Sequence, residues 1–143
     1  HQSGGHRWQM RWFKPLQKEE FRISYTKDGS LTYFEHFVSD SLAGDTLPQS
    51  IAYNMAKMFL KNMPSTDFTE EDWKITKKTE EQKPNRVDHY FQWENKKHTF
   101  DESTIRMSIR VQGSEIVRYN KWLEASEKLK TQLKTTVELT KDL

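Results

Sequence analysis

The most versatile chemistry in this chain belongs to its five histidines and to one Asp-His pair, because imidazole titrates near neutrality and ligates metals. His1, His6, His36, His89 and His98 form neither an HExxH motif nor a His-x-His pair, and no cysteine is present to complete a thiolate site. The sequence therefore predicts no metal and no cofactor. Asp88 and His89 are neighbours, so on a strand their side chains point to opposite faces and cannot work as an acid–base dyad with each other. His89 is expected to be a hydrogen-bonded, partly buried residue. Gly-rich phosphate loops, a serine nucleophile elbow and a cysteine nucleophile are all missing. The run 6–14, HRWQMRWFK, interleaves cations with aromatics as a base-stacking surface would. Alternation separates its tryptophans from its arginines, which predicts a packed strand with a solvated basic side and no nucleic-acid partner.

Composition points the same way. The chain has 143 residues, 34% hydrophobic and 13% Phe, Trp or Tyr, so few but large side chains must fill its interior. Its 23 basic and 21 acidic residues are interspersed and leave a net charge of +2, too small to steer a polyanion. No apolar run reaches the roughly 20 residues that a membrane helix requires.

The elements that must hold these residues are organised around the run 83–94, KPNRVDHYFQWE, a turn opening into an alternating strand. Val87, His89, Phe91 and Trp93 share one face and Asp88, Tyr90, Gln92 and Glu94 the other; bulk on both predicts a central strand. Upstream, residues 6–13, 21–25 and 31–38 alternate likewise, and Asp28-Gly29 supplies a tight hairpin between the second and third. A helix is expected over 48–62, capped by Asp45 or Thr46 and closed by Pro64, with Ile51, Ala52, Met55, Met58, Phe59 and Met63 as its apolar stripe. Residues 66–72 suggest one more helical turn and 73–79 a strand. Further strands are expected over 105–111 and 115–120 around Gly113, then a helix from Leu123 to the end with Leu129, Leu133 and Val137 on a narrow stripe. The expected fold class is α+β: antiparallel sheet, in one piece or two, with one packed helix and a C-terminal helix.

The two halves resemble each other weakly. Arg11-Trp12 answers Gln92-Trp93, and the hairpin around Gly29 answers that around Gly113, at an offset near 85 residues. The runs 11–22 (RWFKPLQKEEFR), 84–94 (PNRVDHYFQWE) and 109–115 (IRVQGSE) together resemble the extracytoplasmic region of some bacterial CPBP-family intramembrane metalloproteases, over roughly residues 7–130. The resemblance implies tandem PepSY-type or cystatin-like units. Residues 1–47 would be the C-terminal part of a first unit whose helix lies upstream, 48–122 a second unit, and 123–143 a helix leading toward the membrane. It also implies a place on the extracytoplasmic face of a bacterial membrane and a sensing, substrate-binding or regulatory role. The family's peptidase chemistry is associated with Glu-Glu and His motifs in membrane helices, and this chain has none of those, so no catalytic residue carries over.

The expected function is thus non-catalytic binding of a peptide or protein segment, including the membrane core of the same chain. Arg11, Lys14, Arg86, Asp88, His89 and Glu94 are the candidate contacts, beside a strand edge that could accept an extended peptide. The alternative is a cystatin-like or NTF2-like small-molecule enzyme or binding protein, with His89 as base and Asp88 or Glu94 orienting water.

Overall fold

The computed structural model describes residues 7–14, 19–40 and 42–140, and the backbone alone at residues 7, 12–14, 19 and 98–100. Among these, three strands come first: β1 (Arg7–Lys14), β2 (Glu19–Thr26) and β3 (Leu31–Phe37). Helix α1 (Gln49–Asn62) and a single 3₁₀ turn (Pro64–Thr66) follow, then β4 (Trp73–Lys83), β5 (Arg86–Phe100), β6 (Ser103–Gln112), β7 (Glu115–Glu124) and helix α2 (Glu127–Thr140). All seven strands form one antiparallel sheet in the order β1-β2-β3-β7-β6-β5-β4. Two meanders are therefore joined edge to edge. Their seam is short: Tyr33, Phe34 and Glu35 pair with Asn120, Tyr119 and Arg118.

The core follows from the alternation. Phe91, Trp93, Met107, Ile109, Val111 and Tyr119 project from one face of β5, β6 and β7 and are essentially solvent-free. α1 meets them with Ala52, Ala56 and Leu60, all fully buried. Small residues one turn apart let the helix sit close to a floor built of aromatics. Tyr53 packs on Phe91 and Trp93 on one flank, and Phe59 on Tyr119 on the other. The expected stripe was therefore rotated: Met55, Phe59 and Met63 are partly buried as anticipated, but Ile51 and Met58 are exposed.

Other boundaries differ from the sequence expectation. Pro48 is the helix N-cap and no side chain caps it, so neither Asp45 nor Thr46 does so. The turn after Pro64 is 3₁₀ and ends at Thr66, whose hydroxyl donates to the carbonyls of Leu60 and Met63. β4 runs to Lys83 and β5 to Phe100. Leu123 lies in β7 and not in a helix. α2 starts at Glu127, has Ser126 accepting at its first turn from Leu129 N–H, and has no buried residue. No helix among the described residues is long and apolar enough to cross a membrane.

Glycine matters most at the β6–β7 turn. Gly113 has φ +59°, and a Cβ there would lie 2.9 Å from the backbone nitrogen of Asp45. Gly29, in the β2–β3 turn, has φ +89° but open space around it. Gly113→Ala should combine left-handed strain with a clash and cost about 3 kcal/mol or more, whereas Gly29→Ala should cost about 1–2 kcal/mol from strain alone. Urea unfolding of both variants checks the difference; equal losses would mean that the close approach of residues 44–45 to the turn does not bear on stability.

Candidate functional site

The segment 38–48 carries the chain from β3 across the end of the sheet to α1, and three of the six predicted site residues lie against it. Arg86 opens β5 and is 3% exposed. Its Nη1 donates to the carbonyls of Ser39 (2.8 Å) and Leu42 (2.7 Å), and its Nε and Nη2 donate to Asp88 Oδ1 and Oδ2 at 2.8 and 3.3 Å. Asp88, 1% exposed, also has Arg110 Nη2 3.7 Å from Oδ2. Gly44 N–H donates to Asn85 O, closing the strap on the β4–β5 turn, and Gly113 N–H donates to Val87 O, tying the β6–β7 turn to β5. The expectation of Arg86 and Asp88 as exposed contacts is thus corrected. The strap covers them, and their pairing fixes a crossing of the chain.

His89 lies on the other face of β5, 1% exposed, with Nε2 2.9 Å from Leu47 O and the ring stacked over Phe91. A carbonyl only accepts, so Nε2 carries a proton. That Nδ1 has no hydrogen-bond partner, and Glu80 Oε1 is 3.8 Å away. Asp88 and the half-buried Glu94 belong to the opposite face and cannot orient water for this imidazole. The recess beside it, lined by Thr79, Glu81, Asp88, His89, Tyr90 and Arg110, is only about 110 Å³.

The predicted residues do not converge. Arg11 sits on β1, five strands from β5 and so about 24 Å away across the sheet. It donates to Glu20, which also accepts from Arg22, and the two guanidiniums hold the Glu20 carboxyl below its usual range. Lys14 pairs with Glu19 at the end of β1, and its side chain lies outside the described residues. The call on His98 also falls where only the backbone is described, and His1 and His6 lie outside the described residues.

A different feature emerges on the helix side of β1–β3. Trp8, Met10, Phe21, Ile23, Tyr25 and Phe34 occupy the same face as the α1-covered core, linked in register through Met10–Ile23–Phe34–Tyr119–Ile109. Trp8 is 45% and Met10 52% exposed, and Trp8 stacks on Tyr25. α1 packs on β5 and β6 and, through Phe59, on β7. Phe21, Ile23, Tyr25 and Phe34 are partly buried, and among the described residues no helix packs on the remaining half. The sheet is about 29 Å wide at 4.8 Å per strand, while a helix is about 10 Å across, so one helix leaves room for another. On the side of α1 away from Tyr53, Met55 is partly buried and Ile51 and Met58 are exposed. The alternating apolar positions of β1 and β2 carried this signal; counting one packed helix against seven strands would have exposed it.

Asp88→Ala should leave the Arg86 guanidinium buried without its carboxylate and lower stability by about 3–5 kcal/mol. Glu20→Ala, at a solvated pair, should leave the unfolding midpoint in place. Equal midpoints for the two variants would remove the strap from its structural role. Compared with known proteins, the chain matches no family model, no curated protein and no solved structure.

Proposed function

We propose that this chain is a non-catalytic recognition domain whose bare half-sheet holds an amphipathic α-helix of a protein partner. The observation that carries the reading is the uncovered aromatic face of β1–β3 next to an equivalent face that α1 already covers. The occupant's chemistry follows from the floor. The described side chains there are apolar or aromatic, with only His36, bonded to Glu115, at one end. A stripe of uncharged aliphatic residues at helical spacing fits it, and the flexible side chains of Met10, Met55 and Met58 adapt to irregular shapes. A partner helix of about 14 residues would be about 21 Å long and lie along strands of seven or eight residues. Such a contact removes on the order of 1,000 Å² of surface, enough for a specific though modest interface.

The order helix–four-strand meander, preceded by a three-strand meander, supports the finer fold reading of tandem PepSY-like or cystatin-like units with the first helix position vacant. The extracytoplasmic setting in a bacterial membrane protein, with the membrane core as one source of the helix, rests on the sequence resemblance. α2, projecting from β7 with its stripe unburied, suits a connector toward that core. Binding without catalysis is supported by Arg86 and Asp88 being spent on the strap and by the burial of His89.

A photo-crosslinking amino acid placed at Met10, and separately at Met58, of the protein in its native membrane should give products mapping to one segment with apolar i, i+3, i+4 spacing. Met10→Glu should cut the yield from position 58 at least tenfold with an unchanged unfolding midpoint. Crosslinks from the two positions that scatter over unrelated segments, or a yield insensitive to Met10→Glu, would sink the proposal.

A further inference from the structure

At the end of α1 away from the strap, helix and sheet part around a cavity of about 600 Å³, inside the range of small-molecule sites. Its apolar lining is Leu60, Met63, Phe68, Trp73 and Ile105. Lys121 enters from β7, paired in register with the fully buried Met107 on the core face, where alternation calls for an apolar residue. Its Nζ is 3.5 Å from Ser65 O and 5.9 Å from the ring centre of Trp73, and among the described residues it makes no ion pair. Of the other charged residues that line it, two are paired and one faces solvent. Lys61 pairs with Glu70 at 3.3 Å, Asp72 with Lys97 at 3.0 Å, and Asp67 is exposed to solvent. Burial pushes the Lys121 ammonium below its ordinary range, and Asp67 opposes this in part. The cavity thus holds a cation that the exposed Asp67 offsets only at a distance and that, among the described residues, no carboxylate contacts, above an apolar floor.

We propose that this cavity binds a small apolar carboxylate, its head paired with Lys121 and its hydrocarbon body against Trp73, Met63 and Ile105. One lysine matches one negative charge. A phosphate dianion would bring a second charge near the Asp67 and Asp72 carboxylates, which disfavour it. The site lies between α1 and β4–β7 and does not depend on what covers β1–β3.

Hexanoate, with hexanol as the uncharged control, is a sufficient probe, followed through the Trp73 indole N–H, which donates to Asp67 O at 3.2 Å. Wild type should show a saturable shift with hexanoate and at least tenfold weaker binding of hexanol. Lys121→Met keeps the stem and should abolish that preference. Saturating hexanoate should also move the titration of the Lys121 side chain, read by NMR at Cε, to higher pH, a measurement that stands whether or not the variant folds. Equal binding of the two probes by wild type, a preference that survives in Lys121→Met, or an unmoved Lys121 titration would each overturn the assignment.

Discussion

The guanidinium of Arg86 is the constraint on which the rest of this structure leans. The chain must pass from the middle of the sheet, at β3, to a helix lying over its far half, and the crossing segment has no regular structure of its own to hold it. Arg86 supplies the fixed point: donors to two strap carbonyls and a two-point grip on Asp88, all on one rigid planar group. Lysine could not serve, since a single ammonium cannot reach carbonyls and carboxylate in this fork geometry. With the strap pinned, Leu47 is placed to accept from His89, and α1 starts over β5 without any side-chain cap. Gly113 then has to be glycine because the strap lies on its turn.

That crossing also explains the asymmetry of the sheet. α1 is delivered to β5 and β6, and its close approach on Ala52 and Ala56 buries large aromatics fully. The other half keeps an equally apolar floor that its own described residues leave open. On the reverse face both halves are alike, polar and laced with pairs such as Arg11–Glu20 and Arg110–Glu81. A sheet polar on one face and so unevenly covered on the other carries its distinguishing information on the helix side.

Local signals were legible in the sequence and non-local coverage was not. Alternation and the Asp28-Gly29 and Gln112-Gly113 turns located every strand, because side-chain period and turn geometry are written in neighbouring residues. The end of β5 was hidden, since Asn95, Lys96 and Lys97 look like a loop until Trp73 of β4 pairs with Asn95 and, beyond a break in register, β6 pairs with Thr99 and Phe100. Leu123 could open a helix or end a strand, and only its partner Ile105 decides. The stripe of α1 was misphased because Ile51 and Met58 outweigh alanine on any hydrophobicity count, although alanine is what close packing selects. The burial of Arg86 and Asp88 is not written locally, because nothing within several residues announces that a segment more than 40 positions upstream covers them.

The three-pair seam between β3 and β7 sets the order in which the molecule assembles and comes apart. Each meander can form from strands adjacent in sequence, whereas Phe34 and Tyr119 are about 85 residues apart. Closing so long a loop has to be compensated by only a few ladder bonds and the packing of Phe34, so the seam is the slow, late step of folding. It is also a line along which the native state can open, the β1–β3 hairpins peeling from an intact α1–β7 body as a separate cooperative unit.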